Sequence, residues 1–257
     1  MIDALKQRMH AKSAALLLSL ESRLSRIMLI WLGIAGLASA IRIATSPIKT
    51  IVPDFATFAP YLLLVFAPAV SMILALRWFA DAHRMPQPAT RLARLGRWRE
   101  LEPGQARRHA LYGTTGIMVS LLVGMLINVP VRAAEYLAGM PAISGPVPAW
   151  LGTLHMLMTA DVVLLSSLYV IAFVAALRRV PLFPRLLAAI WMIDLAMQIA
   201  TAQLVAVTPG LPPQVAEALH SVLNGNVKKV LISVALWLPY LLLSNRVNVT
   251  FRNRVPA

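Results

Sequence analysis

Two carboxylates, Asp161 and Asp194, lie inside strongly apolar stretches of this 257-residue chain. A charge at such depth is costly, so it turns toward a bundle interior, a water-filled cavity or a counter-charge. Asp194 shares a helical face with Gln198 and Thr201, at i, i+4 and i+7. Asp161, Asp194, Gln198 and Thr201 suit a polar path for protons or small solutes. The alternative is a paired or hydrogen-bonded Asp that fixes helix packing. Counted from a hairpin centre near residue 181, Asp161 is twenty residues away and Asp194 thirteen. That is an axial offset of roughly 10 Å at helical rise, so no side-by-side dyad is expected.

Other chemistries find little support. The chain has no cysteine, which removes disulfides, thiolate metal sites and Cys nucleophiles. The five His residues are scattered, and only His155 falls in an apolar block, so a bis-His haem is not expected. Glu217 and His220 stand at i, i+3, too little alone for a metal site. No Gly-rich phosphate loop, zincin motif or nucleophile elbow occurs. No catalytic residue, metal or cofactor is assigned, and the chain does not read as an enzyme.

These residues are carried by six apolar blocks, 27–46, 58–76, 110–131, 151–177, 186–207 and 227–243. Apolar residues make up 59% of the chain and charged residues 13%, with mean hydropathy +0.72. Each block approaches the roughly 20 residues that cross a hydrocarbon core of about 30 Å. The blocks outrun strands and lack strict alternation, so helices fit better than a barrel. The expected fold is an all-α polytopic bundle of six transmembrane helices; loss or re-entry of one block would leave five. Ala38-Ser39-Ala40 resembles a signal-peptide cleavage site, but Asp3 and Glu21 in a long preceding segment favour a first membrane helix.

Segments 1–26, 77–109, 178–185 and 244–257 hold 19 of the 24 Lys and Arg. Basic loops stay cytoplasmic, which places both termini there. The net charge of +14 equals the balance of 19 basic and 5 acidic residues in these segments. Topology thus explains the charge, and the expected partner is anionic lipid rather than nucleic acid. Arg42, Arg132 with Glu135, and Lys228 with Lys229 are expected at the opposite interface as anchors. Pairing of a helix-six lysine with Glu217 or Asp194 is the sharper alternative.

Two regions follow: an amphipathic N-terminal segment, 1–26, and a membrane domain, 27–257, with the basic loop 77–109. In that loop Leu92, Leu95, Trp98 and Leu101 recur among Arg91, Arg94, Arg97 and Arg99, predicting a short interfacial helix. Arg91, Arg94, Arg97 and Trp98 are candidate contacts to headgroups or a partner. Gly116, Ser120 and Gly124 form a small-residue stripe suited to close helix packing. Val215, Leu219 and Val222 predict a separate short helix before block six.

The stretch Trp237 to Phe251 reads W-L-P-Y-L-L-L-S-N-R-V-N-V-T-F. Trp237, Pro239, Tyr240, Ser244, Arg246, Val247, Thr250 and Phe251 resemble the closing signature of a family of small bacterial inner-membrane proteins, domain of unknown function two-five-six-nine. The resemblance covers these fifteen residues. It implies a multi-pass protein of the bacterial inner membrane and supplies no activity. From the residues themselves, Arg246 is a candidate headgroup contact. The leading functional expectation is a non-catalytic accessory or scaffold subunit, associated with other membrane subunits or with copies of itself. The alternative is a small-solute or proton-coupled transporter or channel using Asp161 and Asp194.

Overall fold

The computed structural model describes residues 2–48, 55–89 and 97–257. Six of its helices are long and apolar enough to cross a membrane. They are α2 (Leu24–Ala44), α3 (Phe55–Trp78), α5 (Ile117–Gly139), α6 (Ala149–Leu177), α7 (Phe183–Ala206) and α8 (Pro213–Leu243). Shorter or more polar elements complete the chain: α1 (Ile2–Ser22), α4 (Pro103–Arg108), α9 (Asn245–Arg252) and strands β1 (Trp98–Glu100) and β2 (Arg254–Pro256). The chain is an all-α polytopic membrane bundle.

α6 is its axis. Two thirds (67%) of its apolar span is buried inside the chain, against 11% for α2 and for α8. It packs on α3, α5 and α7, while α8 leans on α7. With lipid on the outside there is no hydrophobic gain in bringing helices together, so packing and polar contacts must hold them. The main core gathers Met118, Leu122, Leu165, Phe173, Phe183 and Leu187. Proline is tolerated inside these helices where a neighbour engages the backbone. Pro68 lies inside the continuous α3, and three residues before it the Val65 carbonyl accepts from Trp31 Nε1–H of α2 at 2.8 Å.

Two expectations are corrected. The predicted short helix before block six is the first part of α8, which runs unbroken for 31 residues, about 46 Å. Pro212 and Pro213 start it, since proline at a first helical position loses no internal bond. Trp98 belongs to a strand, not an interfacial helix, pairing antiparallel through Arg99↔Val255. Residues 90–96, with Arg91 and Arg94, lie outside the described residues.

One end of the bundle is basic and closely tied. There Arg246 Nη1 donates to Thr115 Oγ1 at 2.7 Å and to the Leu111 carbonyl at 3.3 Å. The Gly113 amide donates to Thr250 Oγ1 at 3.0 Å, and Phe251 meets Phe183 with ring centroids 5.0 Å apart. Asn248 is fully buried, and its Oδ1 accepts from Arg252 Nη1 (2.9 Å) and Arg254 Nε (2.8 Å). Burial, with Arg254 and Arg185 nearby, pulls the Arg252 guanidinium down to about 10, still charged at neutral pH. Ser13 of α1 accepts from the Gly116 amide at 2.9 Å, docking α1 on the same end.

Because α9 packs on α4, residue 105 and the start of α8 lie at opposite ends of the bundle. The chain has no native cysteine, so Gln105→Cys and Gln214→Cys are clean topology probes. In sealed vesicles an impermeant thiol reagent is expected to label them from opposite sides; labelling from one side would contradict this architecture.

Candidate functional site

Arg132 organises the interior. Residues 132–137 are good helix formers, so α5 continues past the apolar block to Gly139 and carries Arg132 about two turns inside its end. Arg132 is therefore not an interfacial anchor. Its Nη1 donates to Asp161 Oδ2 at 3.2 Å, its Nη2 to Asp194 Oδ2, and its Nε to Asn128 Oδ1 at 2.8 Å. Its guanidinium lies 5.7 Å from the centre of the Tyr169 ring, within cation–π range. The Tyr169 hydroxyl also donates to Asp194 Oδ2 at 3.3 Å.

The two aspartates are thus not side by side but joined through one guanidinium. The Arg fork spans part of the offset. Gln198, one turn outward from Asp194, spans the rest: its Nε2 donates to Asp161 Oδ1 at 3.1 Å and to Asp194 Oδ1 at 3.5 Å. Asn226 of α8 donates to Gln198 Oε1 at 3.3 Å. Lys229, one turn on, donates to Asn226 Oδ1 at 3.4 Å and to Glu135 Oε1 of α5 at 2.5 Å. A closed polar circuit therefore links α5, α6, α7 and α8. Thr201 is buried on the Asp194–Gln198 face, toward the α7 end away from the basic face.

Burial within the circuit is graded. Asp194 is fully buried, the Arg132 and Asp161 side chains are 14% and 11% exposed, and Lys229 and Glu135 are 61% and 47% exposed. The exposed pair is worth under about 1 kcal/mol. The inner triad holds two carboxylates and one guanidinium, so with every group ionised it carries one uncompensated negative charge in a low-dielectric setting.

Beside the triad opens a cavity of about 810 Å³ between α5, α6 and α8. Arg132 and Asp161 line its depth, whereas Asp194 stands behind them. Tyr136, Met158, Leu219 and Val222 give it an apolar wall. Its lining reaches Met140 after α5 and Gln214 at the start of α8, so it faces the end of the bundle opposite the basic one. Near its rim Tyr136 OH meets Thr159 Oγ1 at 2.8 Å and His155 Nε2 at 3.3 Å. Among the described residues no group of three or more His, Cys, Asp or Glu is placed to hold a metal ion.

Other candidate residues fall elsewhere. Gly116 precedes α5 with φ 72°, and Ser120 and Gly124 face outward, with nothing within 4 Å of a Cβ at Gly124. Only Gly116 of the stripe meets other helical segments among the described residues, through Ser13 of α1 and Arg246 of α9, whereas α5 buries Met118, Leu122, Met125 and Val129. Trp98 lies beneath the Arg254 guanidinium at 4.8 Å, and the Arg97 carbonyl accepts from Ala257 at 3.0 Å. Arg246 is occupied within the chain, as described above. Sequence reasoning missed Asn128, Arg132 and Glu135 as one face, although their i, i+4, i+7 spacing repeats that of Asp194, Gln198 and Thr201.

Comparison with protein-family models, curated proteins and solved structures finds no match to this chain.

Arg132→Gln leaves two buried carboxylates without a cation and is expected to destabilise the fold by roughly 3–5 kcal/mol. Adding Asp161→Asn and Asp194→Asn is expected to recover most of that loss, because removing all three charges removes the desolvation cost. Thermal unfolding in detergent checks this; equal melting of the single and triple variants would contradict the charge argument.

Proposed function

We propose that this protein carries a small solute across a membrane, with movement coupled to a proton or cation at Asp161. The observation that carries the reading is Asp161 itself: one of two carboxylates sharing a single guanidinium, and the one of that pair that lines the cavity. A positive charge arriving there compensates the triad and competes with Arg132 and Gln198 for the carboxylate. Arg132 is then held by Asp194 alone. The circuit through Gln198, Asn226 and Lys229 passes the change to α8, a wall of the cavity that, like α2, buries little of its span in the bundle. This is the kind of discrete rearrangement by which bound charge can bias a helix position.

The reading includes a bacterial inner-membrane location with the basic end cytoplasmic. It is supported by the excess of Lys and Arg in the segments of that end and by the resemblance over residues 237–251. A purely accessory role, in which the triad only fixes packing, is the competing reading. It is favoured by the largely unburied faces of α2 and α8, which leave room for a partner subunit.

Flux separates the two. Proteoliposomes under an imposed pH gradient and membrane potential are expected to dissipate the gradient faster than protein-free vesicles. Asp161→Asn is expected to cut the rate at least about tenfold, whereas Glu217→Gln on the exposed start of α8 leaves it unchanged. Wild-type flux equal to that of empty vesicles, with a stoichiometric foreign subunit retained on gentle extraction, would establish the accessory role instead.

A further inference from the structure

A second cavity, about 470 Å³, lies at the basic end where α3 and α6 leave the membrane-spanning region. Arg107, Arg178 and Arg179 line it, with one acidic residue, Glu21. Arg179 has a left-handed backbone (φ 58°), which turns the chain sharply at the α6–α7 connection. Its guanidinium stands 5.5 Å from the centre of the Tyr112 ring. Part of the lining is apolar: Phe79 is half-buried, and Ala82 and Leu177 are buried. Trp78, 58% exposed, ends α3 immediately beside it. Such amphipathic rings settle at headgroup depth.

We propose that this cavity is a binding site for the phosphate headgroup of an anionic phospholipid. Its chemistry is a phosphodiester held by the guanidinium groups of Arg178 and Arg179. Arginine matches phosphate oxygens in paired, charge-assisted hydrogen bonds. The location selects the source. The cavity sits at the helix ends, where lipid phosphates are concentrated, and its apolar side at Phe79, Ala82 and Leu177 can meet the glycerol and upper acyl region of a lipid. Basic pockets between spanning helices are favourable for anionic headgroups. The site is separate from the Arg132 triad and stands or falls independently of the transport reading.

The test uses the full chain, delipidated in a neutral detergent, with three probes: phosphatidylglycerol, phosphatidylcholine and inorganic phosphate. Phosphatidylglycerol is expected to bind saturably, with one tightly held copy in intact-mass spectra and a raised melting temperature. Phosphatidylcholine and inorganic phosphate are expected to do neither. The double variant Arg178→Gln/Arg179→Asn, in which Asn tolerates the left-handed backbone, is expected to bind phosphatidylglycerol at least about tenfold more weakly. Glu21→Gln is expected to bind it more tightly, and so keeps the test open if the double variant fails to fold. Equal stabilisation by phosphatidylcholine, or unchanged phosphatidylglycerol binding in both variants, would overturn the site. Saturable binding of inorganic phosphate that displaces the lipid would assign the cavity to a free anion and overturn the lipid source.

Discussion

Holding two carboxylates on one guanidinium inside an apolar bundle constrains everything around it. Removing an ion from water costs several kcal/mol even after relaxation, and only close, well-directed partners offset that cost. Arg132 meets the requirement by using Nε, Nη1 and Nη2 on three different side chains. Those side chains lie on α5, α6 and α7, so the three helices must sit at one relative rotation and depth. Gln198 satisfies the remaining carboxylate oxygens, and Asn226 and Lys229 extend the circuit to α8. The polar chain can thus supply what apolar packing in lipid does not, a unique register.

The two ends of the bundle are built differently, and the difference bears on function. At the basic end Arg246 and Thr250 hold α9 to the segment before α5, Asn248 ties α9 to Arg254 of β2, and β2 pairs with β1. Their partners are backbone carbonyls and amides, together with side chains that do not change charge near neutral pH, so this end acts as a fixed base. At the other end α8 stands away from α5 and α6, leaving the 810 Å³ cavity, and crosses to α5 through the exposed Lys229–Glu135 pair. Any movement is more easily accommodated there, because an exposed ion pair costs little to break.

How far the sequence reveals this depends on which signal is local. The spanning helices are legible because each must present about 20 apolar residues to lipid. Their ends are less so: α5 runs on through Arg132 and Glu135, since a polar residue ends an apolar block without ending a helix. Likewise Asn224-Gly225 reads as the end of a short helix, yet α8 passes through it, with Asn226 just beyond bonded to Gln198. Asp161 and Asp194 stand out as costly charges, but their partner lies 29 and 62 residues away in the chain. Counting rise along two helices could not anticipate a third helix supplying a forked side chain between them. Trp98 misled for a related reason, because its strand partner is more than 150 residues distant and carries no helical or strand periodicity of its own.

The central claim is that Arg132 and Asp161 of the triad line a cavity open to the end opposite the basic one. Gly225 lines that cavity one residue before Asn226, and a Cβ there meets nothing within 4 Å. The most direct measurement is the reaction of Gly225→Cys with a charged, membrane-impermeant thiol reagent in sealed vesicles of known orientation. The account predicts reaction from the side of the α8 start and none from the basic side. No reaction from either side, or reaction only from the basic side, would contradict it.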